Sequence, residues 1–501
     1  MRKTTGLEFA PATQRRWEWS AEDIRRVGHL VVECIAQHLT SLPERPVFRP
    51  FPPELAARFL DTTVPPAGQS PEEILTEFVR DVEPYPFGNG HPRFYGWVNS
   101  PPSVIGVFAE ALAAAMNPSV AGGNHAATYV ERQVLNWFRS LLGFPASSMG
   151  LLVSGGSMAT LTGLAVARHV QLRAKLDMDV RACGLQDIGR RLLVYTSTEG
   201  HSSICKAVEL LGLGSNHLRI VPVDAQRRIQ VHSLETALQR DLEAGYIPIA
   251  VVASAGTVNS GAIDPLVALR QLCDRYGLWL HVDGAYGAPA ILSARYRREL
   301  DPIALADSVA LDPHKWLYIP VEAGLVLIQD GPAMRDTFSL VPSYLRNEGK
   351  TDEVFGLPWF SEYGFQQTRG FRALKIWMSL KHHGIAGYAE AIERDIALAE
   401  HLASLVDTSE DLQRLTSGLS IVCFRYAPPQ LRADEKRLEA LNKALLEALQ
   451  RSGQAFLSGT TLDGTFVLRA CIINPRTRVE DLERLVALVR DMGVRLARGG
   501  T

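Results

Sequence analysis

The sequence predicts an α/β protein with a mostly parallel central sheet and helices on both faces. Two observations predict it. From about residue 101 to 378, short apolar, β-branched runs alternate with stretches of helical periodicity, the pattern of strands joined by crossover helices. Polar residues capable of chemistry also gather just after those runs, and in such sheets ligands bind beyond the carboxyl ends of the strands. The flanking segments differ in pattern, which divides the chain into a helical N-terminal arm (1–100), a large α/β domain (101–378) and a small α+β domain (379–501).

Taken in order, the arm starts with Ser20, placed to cap a helix whose first turn holds Glu22 and Asp23. Ile24, Val27, Val31, Cys34, Ile35 and Leu39 then recur on one face. A second helix is expected near Ser70-Pro71 with Ile74, Leu75 and Phe78 inward, after a connection rich in proline. Two amphipathic helices on long connections bury little by themselves. Their apolar faces require a partner surface, so this segment is expected to serve dimerisation. In the large domain the clearest strands are 192–196, 247–253, 278–283 and 308–312. Beyond 379, a helix over 389–405 and a strand over 420–426 are expected. A helix over 435–451 carries Leu438, Leu441, Leu445 and Leu449 in register, and a strand over 465–473 follows. Thr477 and Glu480 form a capping box for the last helix.

The 501 residues, 46% hydrophobic and 21% charged, supply ample core. Lys and Arg total 52 against 54 Asp and Glu, which removes the electrostatic case for a nucleic-acid partner or a polybasic membrane surface. The longest charge-free stretch, 140–167, contains Pro145 and five glycines, so no membrane span is expected. No apolar segment follows Met1-Arg2-Lys3, and the six cysteines are scattered without a CxxC pair. Both point to a cytoplasmic protein with free thiols. HExxH is absent and no metal site is expected.

Four motifs carry chemistry. In Ser308-Val309-Ala310-Leu311-Asp312-Pro313-His314-Lys315-Trp316 a strand runs into a proline-broken turn that presents His314 and Lys315. A desolvated lysine at a strand end can form a Schiff base, although a lysine in a turn is more often a solvated surface residue. In His281-Val282-Asp283-Gly284-Ala285-Tyr286 a buried strand ends in an acid followed by small residues. Burying that carboxylate calls for a cationic partner, such as a protonated pyridine nitrogen, and a helix cap or structural ion pair is the plainer alternative. Ser154-Gly155-Gly156-Ser157 follows an apolar run and opens a helical pattern, so its N–H groups suit a phosphate. It matches neither GxGxxG, GxxxxGK[ST] nor GxSxG, which counts against nucleotide-binding proteins and α/β-hydrolases. His201 follows the strand ending near Thr196, where an imidazole can stack on a flat ring or simply bond within its loop. Ala255-Gly256-Thr257 and Asp264 form a further loop beyond a strand.

Together, and in this order, these motifs resemble the group II pyridoxal-phosphate decarboxylases, the family of aromatic-L-amino-acid, histidine and glutamate decarboxylases. The resemblance runs from about Trp19 to the last helix, and Asp283 and Lys315 stand 32 positions apart in the HVDxAY and DPHKW motifs. It implies a type I, aspartate aminotransferase-like fold, a homodimer with shared active sites, pyridoxal 5'-phosphate as cofactor and an L-amino acid, aromatic by family frequency, as substrate. Lys315 would hold the cofactor as a Schiff base, and Asp283 would pair with its ring nitrogen. His201 would stack on one face and Ala285 on the other, with Thr257 nearby. Gly156, Ser157 and His314, with Thr368 of the other subunit, would hold the phosphate, and Asp264 would be a support residue. The segment Val341-Pro342-Ser343-Tyr344-Leu345-Arg346 matches the family's mobile loop, and Tyr344 would protonate Cα after carbon dioxide leaves. Relatives that make aldehydes typically change that Tyr or the stacking His. This chain keeps both, which favours simple decarboxylation over aldehyde synthesis; carbon–carbon lyase chemistry on the same fold is a further alternative, and a non-catalytic scaffold would normally lose Lys315 or Asp283, which are both present. Trp97, Val98, Ser100 and His201 would meet the substrate, in a pocket with fewer aromatic residues than in the animal aromatic amino-acid enzymes. One departure stands out: Asp312 replaces an Asn near the phosphate in animal members. Two anions there would repel, so Asp312 either points elsewhere or is shielded by a neighbouring donor.

Overall fold

The computed structural model describes residues 17–340, apart from 187, 189 and 190, and residues 356–499. By contacts the chain forms two units. One runs to Phe94 and includes Leu449–Phe456; the other comprises Tyr95–Ala448 and Leu457 onward.

In the first unit, Ser20 accepts the N–H of Asp23 at 3.0 Å and starts helix α1, Ala21–Ser41. Helix α2 spans Pro53–Phe59. Helix α3, Pro71–Asp81, opens on a capping box in which Ser70 and Glu73 satisfy each other's backbone N–H groups. No residue of α1 is buried. Ile74 and Phe78, expected inward on α3, are 52% and 42% exposed. The helical pattern is therefore realised without the burial it implies, because so few elements offer these helices little surface to pack on. The unit's apolar cluster lies elsewhere: Val47, Phe94 and Phe456, with the Phe94 and Phe456 rings stacked 5.0 Å apart.

The second unit is built on a seven-stranded sheet. Its strands are β1 (Met149–Val153), β2 (Leu192–Ser197), β3 (Leu218–Val221), β4 (Ile247–Ser254), β5 (Trp279–Asp283), β6 (Ser308–Leu311) and β7 (Gly324–Ile328). The order is β1-β7-β6-β5-β4-β2-β3. The β2–β3, β2–β4, β4–β5 and β5–β6 pairs are parallel, and β7 alone runs against its neighbours. Every residue of β2, β4, β5, β6 and β7 is buried, as expected of a sheet covered on both faces. This is the type I fold, and it carries the ends of β1, β2, β4, β5 and β6 to one edge.

A second, antiparallel sheet is formed by β8 (Leu412–Gly418), β9 (Ile421–Tyr426), β10 (Ser458–Leu462) and β11 (Thr465–Cys471), in the order β10-β11-β9-β8. The helix expected over 389–405 is part of a longer one, Ala373–Asp407, broken at Gly384 where φ is +66°. The last helix, Val479–Gly499, starts one residue later than its sequence signal: Asp481 accepts the N–H of Arg478 at 3.0 Å. Among the described residues no helix is long and apolar enough to cross a membrane.

Candidate active site

Each strand end contributes one piece of a single site. After β1, Gly155 precedes the helix Gly156–Leu176. A Cβ at Gly156 would lie 2.9 Å from both Ala285 Cβ and Asp312 Oδ2, so glycine alone lets the helix start pack against the ends of β5 and β6. After β2, His201 caps the helix Ser202–Leu210. Its Nδ1 accepts the Ser203 N–H at 3.2 Å and lies 2.8 Å from Ser203 Oγ. Burial pushes the His201 pKa down, with Asp283 opposing and Lys315 adding to that shift. The neutral ring therefore keeps its proton on Nε2.

After β4, Gly256 adopts φ +95° and Thr257 Oγ1 accepts the N–H of Ala262 at 3.1 Å. The loop is anchored by Asp264, which accepts the N–H groups of Ile229 and Ser254, each at 2.7 Å. Burial nevertheless pushes the Asp264 carboxyl up to about 6, against those two donors. At the end of β5, Asp283 is buried and its Oδ1 accepts the Ala285 N–H at 3.1 Å.

The turn after β6 is tied to that of β5 by the Asp312 N–H on the Ala285 carbonyl at 3.1 Å. Within it Lys315 Nζ lies 3.0 Å from Asp312 Oδ2. His314 Nδ1 is 2.6 Å from the Ala323 carbonyl, and its Nε2 is 3.8 Å from Asp312 Oδ2. Behind the turn, Trp316 Nε1 and Tyr318 OH donate to the fully buried Asp395 at 2.9 and 2.7 Å. Trp316 also stacks on Tyr286, ring centres 5.0 Å apart.

These ends surround a cavity of about 520 Å³. An amine, a buried carboxylate and a glycine-lined helix start, all lining this cavity, fit an aldehyde-bearing, phosphorylated pyridine ring. The model of the pyridoxal-dependent decarboxylase conserved domain matches residues 53–427. The chain belongs to the pyridoxal-dependent decarboxylase family. It is 37% identical to an aromatic-L-amino-acid decarboxylase of Bacillus atrophaeus over 474 residues, covering 94% of this chain and 95% of that one. It is 30% identical to an Arabidopsis thaliana phenylacetaldehyde synthase over 478 residues, covering 94% and 96%. The crystal structure of Oryza sativa TDC with PLP and tryptamine superposes with a TM-score of 0.88 at 26% identity, covering 98% of this chain and 100% of that one. The protein is a pyridoxal-phosphate-dependent amino acid decarboxylase, a carboxy-lyase.

The decarboxylase's cavity brings together Trp97, Val98, Gly156, Ser157, His201, Thr257, Asp283, Ala285, His314 and Lys315. Ser100 is buried just behind this wall, its Oγ donating to the His314 carbonyl at 3.2 Å. Thr368 is exposed and does not line the cavity of its own chain. Tyr344 lies outside the described residues. Three acids on the wall were not among the expected site residues. Asp312 points inward, shielded by Lys315. Glu322 pairs with Arg372 at 2.7 Å. Glu199 is buried, which raises its pKa, and its Oε2 accepts no hydrogen bond. The signal for Glu199 was its place two residues after the end of β2.

Proposed function

We propose that Lys315 supplies the amine that carries the cofactor and that the chain converts an aromatic L-amino acid to its amine and carbon dioxide. One observation carries this: Lys315 Nζ, the buried Asp283 carboxylate and the Gly155–Ser157 helix start line the same cavity. When bound, pyridoxal 5'-phosphate supplies an electron sink for the Cα–carboxylate bond. Asp283 holds a proton on the ring nitrogen by offering a buried negative charge. Gly156, Ser157 and His314 orient the phosphate, the first two through a helix N-terminus. His201 and Ala285 would hold the ring from its two faces, with Thr257 nearby, since all three line the cavity. With its Nε2 proton, His201 donates to the substrate carboxylate. Trp97 and Val98 bound the side-chain pocket, with Ser100 behind them. Tyr344 returns a proton to Cα.

The aromatic substrate is proposed from the likeness to the Bacillus atrophaeus enzyme. The working form is proposed to be a homodimer in which the partner subunit's Thr368 reaches the phosphate, and the domains to divide near 100 and 378. The unpaired state of all six cysteines supports the cytoplasm as the compartment. Aldehyde synthesis is the second reading, favoured by the phenylacetaldehyde synthase relatives. Retention of Tyr344 and His201 supports the amine as product.

The test loads the purified chain with pyridoxal 5'-phosphate, reduces it with borohydride and maps the labelled peptide. A panel of aromatic and aliphatic L-amino acids is then scored for amine, aldehyde and carbon dioxide. Label on Lys315 and amine from an aromatic substrate are expected. Label on another lysine, or no amine from any amino acid, refutes the proposal.

A further inference from the structure

Asp312 faces two ways. Its side chain is 3% exposed, with Oδ2 3.0 Å from Lys315 Nζ and 3.8 Å from His314 Nε2. A Cβ built on Gly156 would lie 2.9 Å from Oδ2, and one built on Gly155 would lie 3.9 Å from Oδ1. Oδ1 accepts no hydrogen bond. The carboxylate is therefore pressed between the glycines of the helix start and the amine of Lys315, with one oxygen uncompensated.

A buried carboxylate tolerates an anion a few ångströms away only at a cost, since like charges repel strongly where water is excluded. Lys315 offsets Asp312 as long as it remains an ammonium. An ammonium has no lone pair to offer, so Lys315 must release a proton to solvent, and with it the ion pair, before it can act as a nucleophile. The charge that steadies Asp312 is thus withdrawn as a second anion arrives.

We propose that Asp312 sets how tightly this enzyme holds its cofactor: it keeps Lys315 at the helix start before loading and makes the phosphorylated cofactor bind more weakly than it would beside a neutral amide. The proposal rests on the function proposed above, and concerns the phosphate end of the site.

The test compares the cofactor-free wild-type chain with Asp312→Asn, by equilibrium titration with pyridoxal 5'-phosphate and, separately, with pyridoxal, which lacks the phosphate. Asn should bind pyridoxal 5'-phosphate about tenfold tighter, a difference of about 1.4 kcal/mol, release it more slowly on dilution, and gain clearly less for pyridoxal, which shares the loss of the ion pair but not the phosphate repulsion. Asp312→Ser, neutral and smaller, should show the same preference and covers the case in which Asn fails to fold. Equal or weaker binding of the phosphorylated form by both variants overturns the proposal. So does an equal gain for pyridoxal, which would place the effect away from the phosphate. A wild-type chain that takes no cofactor onto Lys315 under borohydride overturns the proposed function as well, and is recognised without any variant.

Discussion

Replacing Asp395 with Asn should flatten the enzyme's response to alkaline pH. Asp395 lies fully buried on the helix Ala373–Asp407, where its Oδ2 accepts hydrogen bonds from Trp316 and Tyr318 while Oδ1 has no partner. Burial pushes its carboxyl from an ordinary 3.8 up to about 7, against the two donors and Arg394. The folded state thus binds this proton more tightly than the unfolded chain does. The resulting stabilisation is complete below the unfolded value, declines as pH rises and is gone once the folded value is passed. Between about pH 5 and about pH 8 the loss amounts to about 3 kcal/mol. An Asn carbonyl can accept both hydrogen bonds and does not titrate. Denaturant midpoints of both proteins at both pH values give the test, because the other titrations cancel in the double difference. Wild type should lose about 3 kcal/mol more than the variant on going to high pH. A double difference below about 1 kcal/mol refutes the reasoning. Since Trp316 and Tyr318 follow Lys315 in the same turn, the variant should also keep the visible absorption of the bound cofactor at the higher pH.

Three other outcomes are expected, two from the geometry and the third from the proposed role of Tyr344. Glu131→Gln leaves the buried Arg369 without its counter-charge, next to the Leu152 carbonyl it also holds; unfolding should cost about 3–5 kcal/mol less, read from denaturant curves. Gly156→Ala places a methyl group 2.9 Å from Ala285 Cβ and Asp312 Oδ2. The overpacking is worth about 1–3 kcal/mol and should appear as weaker cofactor binding in a titration while the fold persists. Tyr344→Phe should move product from amine toward aldehyde, carbon dioxide and peroxide, and unchanged amine formation would remove Tyr344 from the mechanism.

The parts of the fold legible in the sequence are those whose apolar runs are bounded by turn residues. β2, β4, β5 and β6 each lie within a residue or so of the expected span for that reason. β7 was not legible because Gly324–Ile328 is a continuous apolar run just after the Lys315 turn, and such a run carries no period to distinguish strand from buried helix. β3 has the opposite problem: it is an edge strand with Ile220 55% exposed, and its alternation is too short to register. The α1 and α3 patterns were legible as helices but not in their burial, since periodicity shows which face is apolar and not what covers it.

The site was legible through the order of its motifs, because a parallel sheet sends successive strand ends to the same edge. That is why Gly156, His201, Thr257, Asp283 and Lys315, scattered over 160 positions from first to last, converge on one cavity. Side-chain direction in the turns was not legible. Asp312 precedes Lys315 by three residues, and only the turn's hydrogen bonds, the Lys315 N–H on the Asp312 carbonyl and the Asp312 N–H on the Ala285 carbonyl, aim both side chains at the cavity. Charge repulsion in the sequence suggested an outward carboxylate or a shielding donor; the turn geometry selects the donor, Lys315 itself. Asp312 is therefore tied to the lysine proposed to carry the cofactor. A substitution at Asp312 should be felt first in how Lys315 and the phosphate share the cavity, before any step on the substrate.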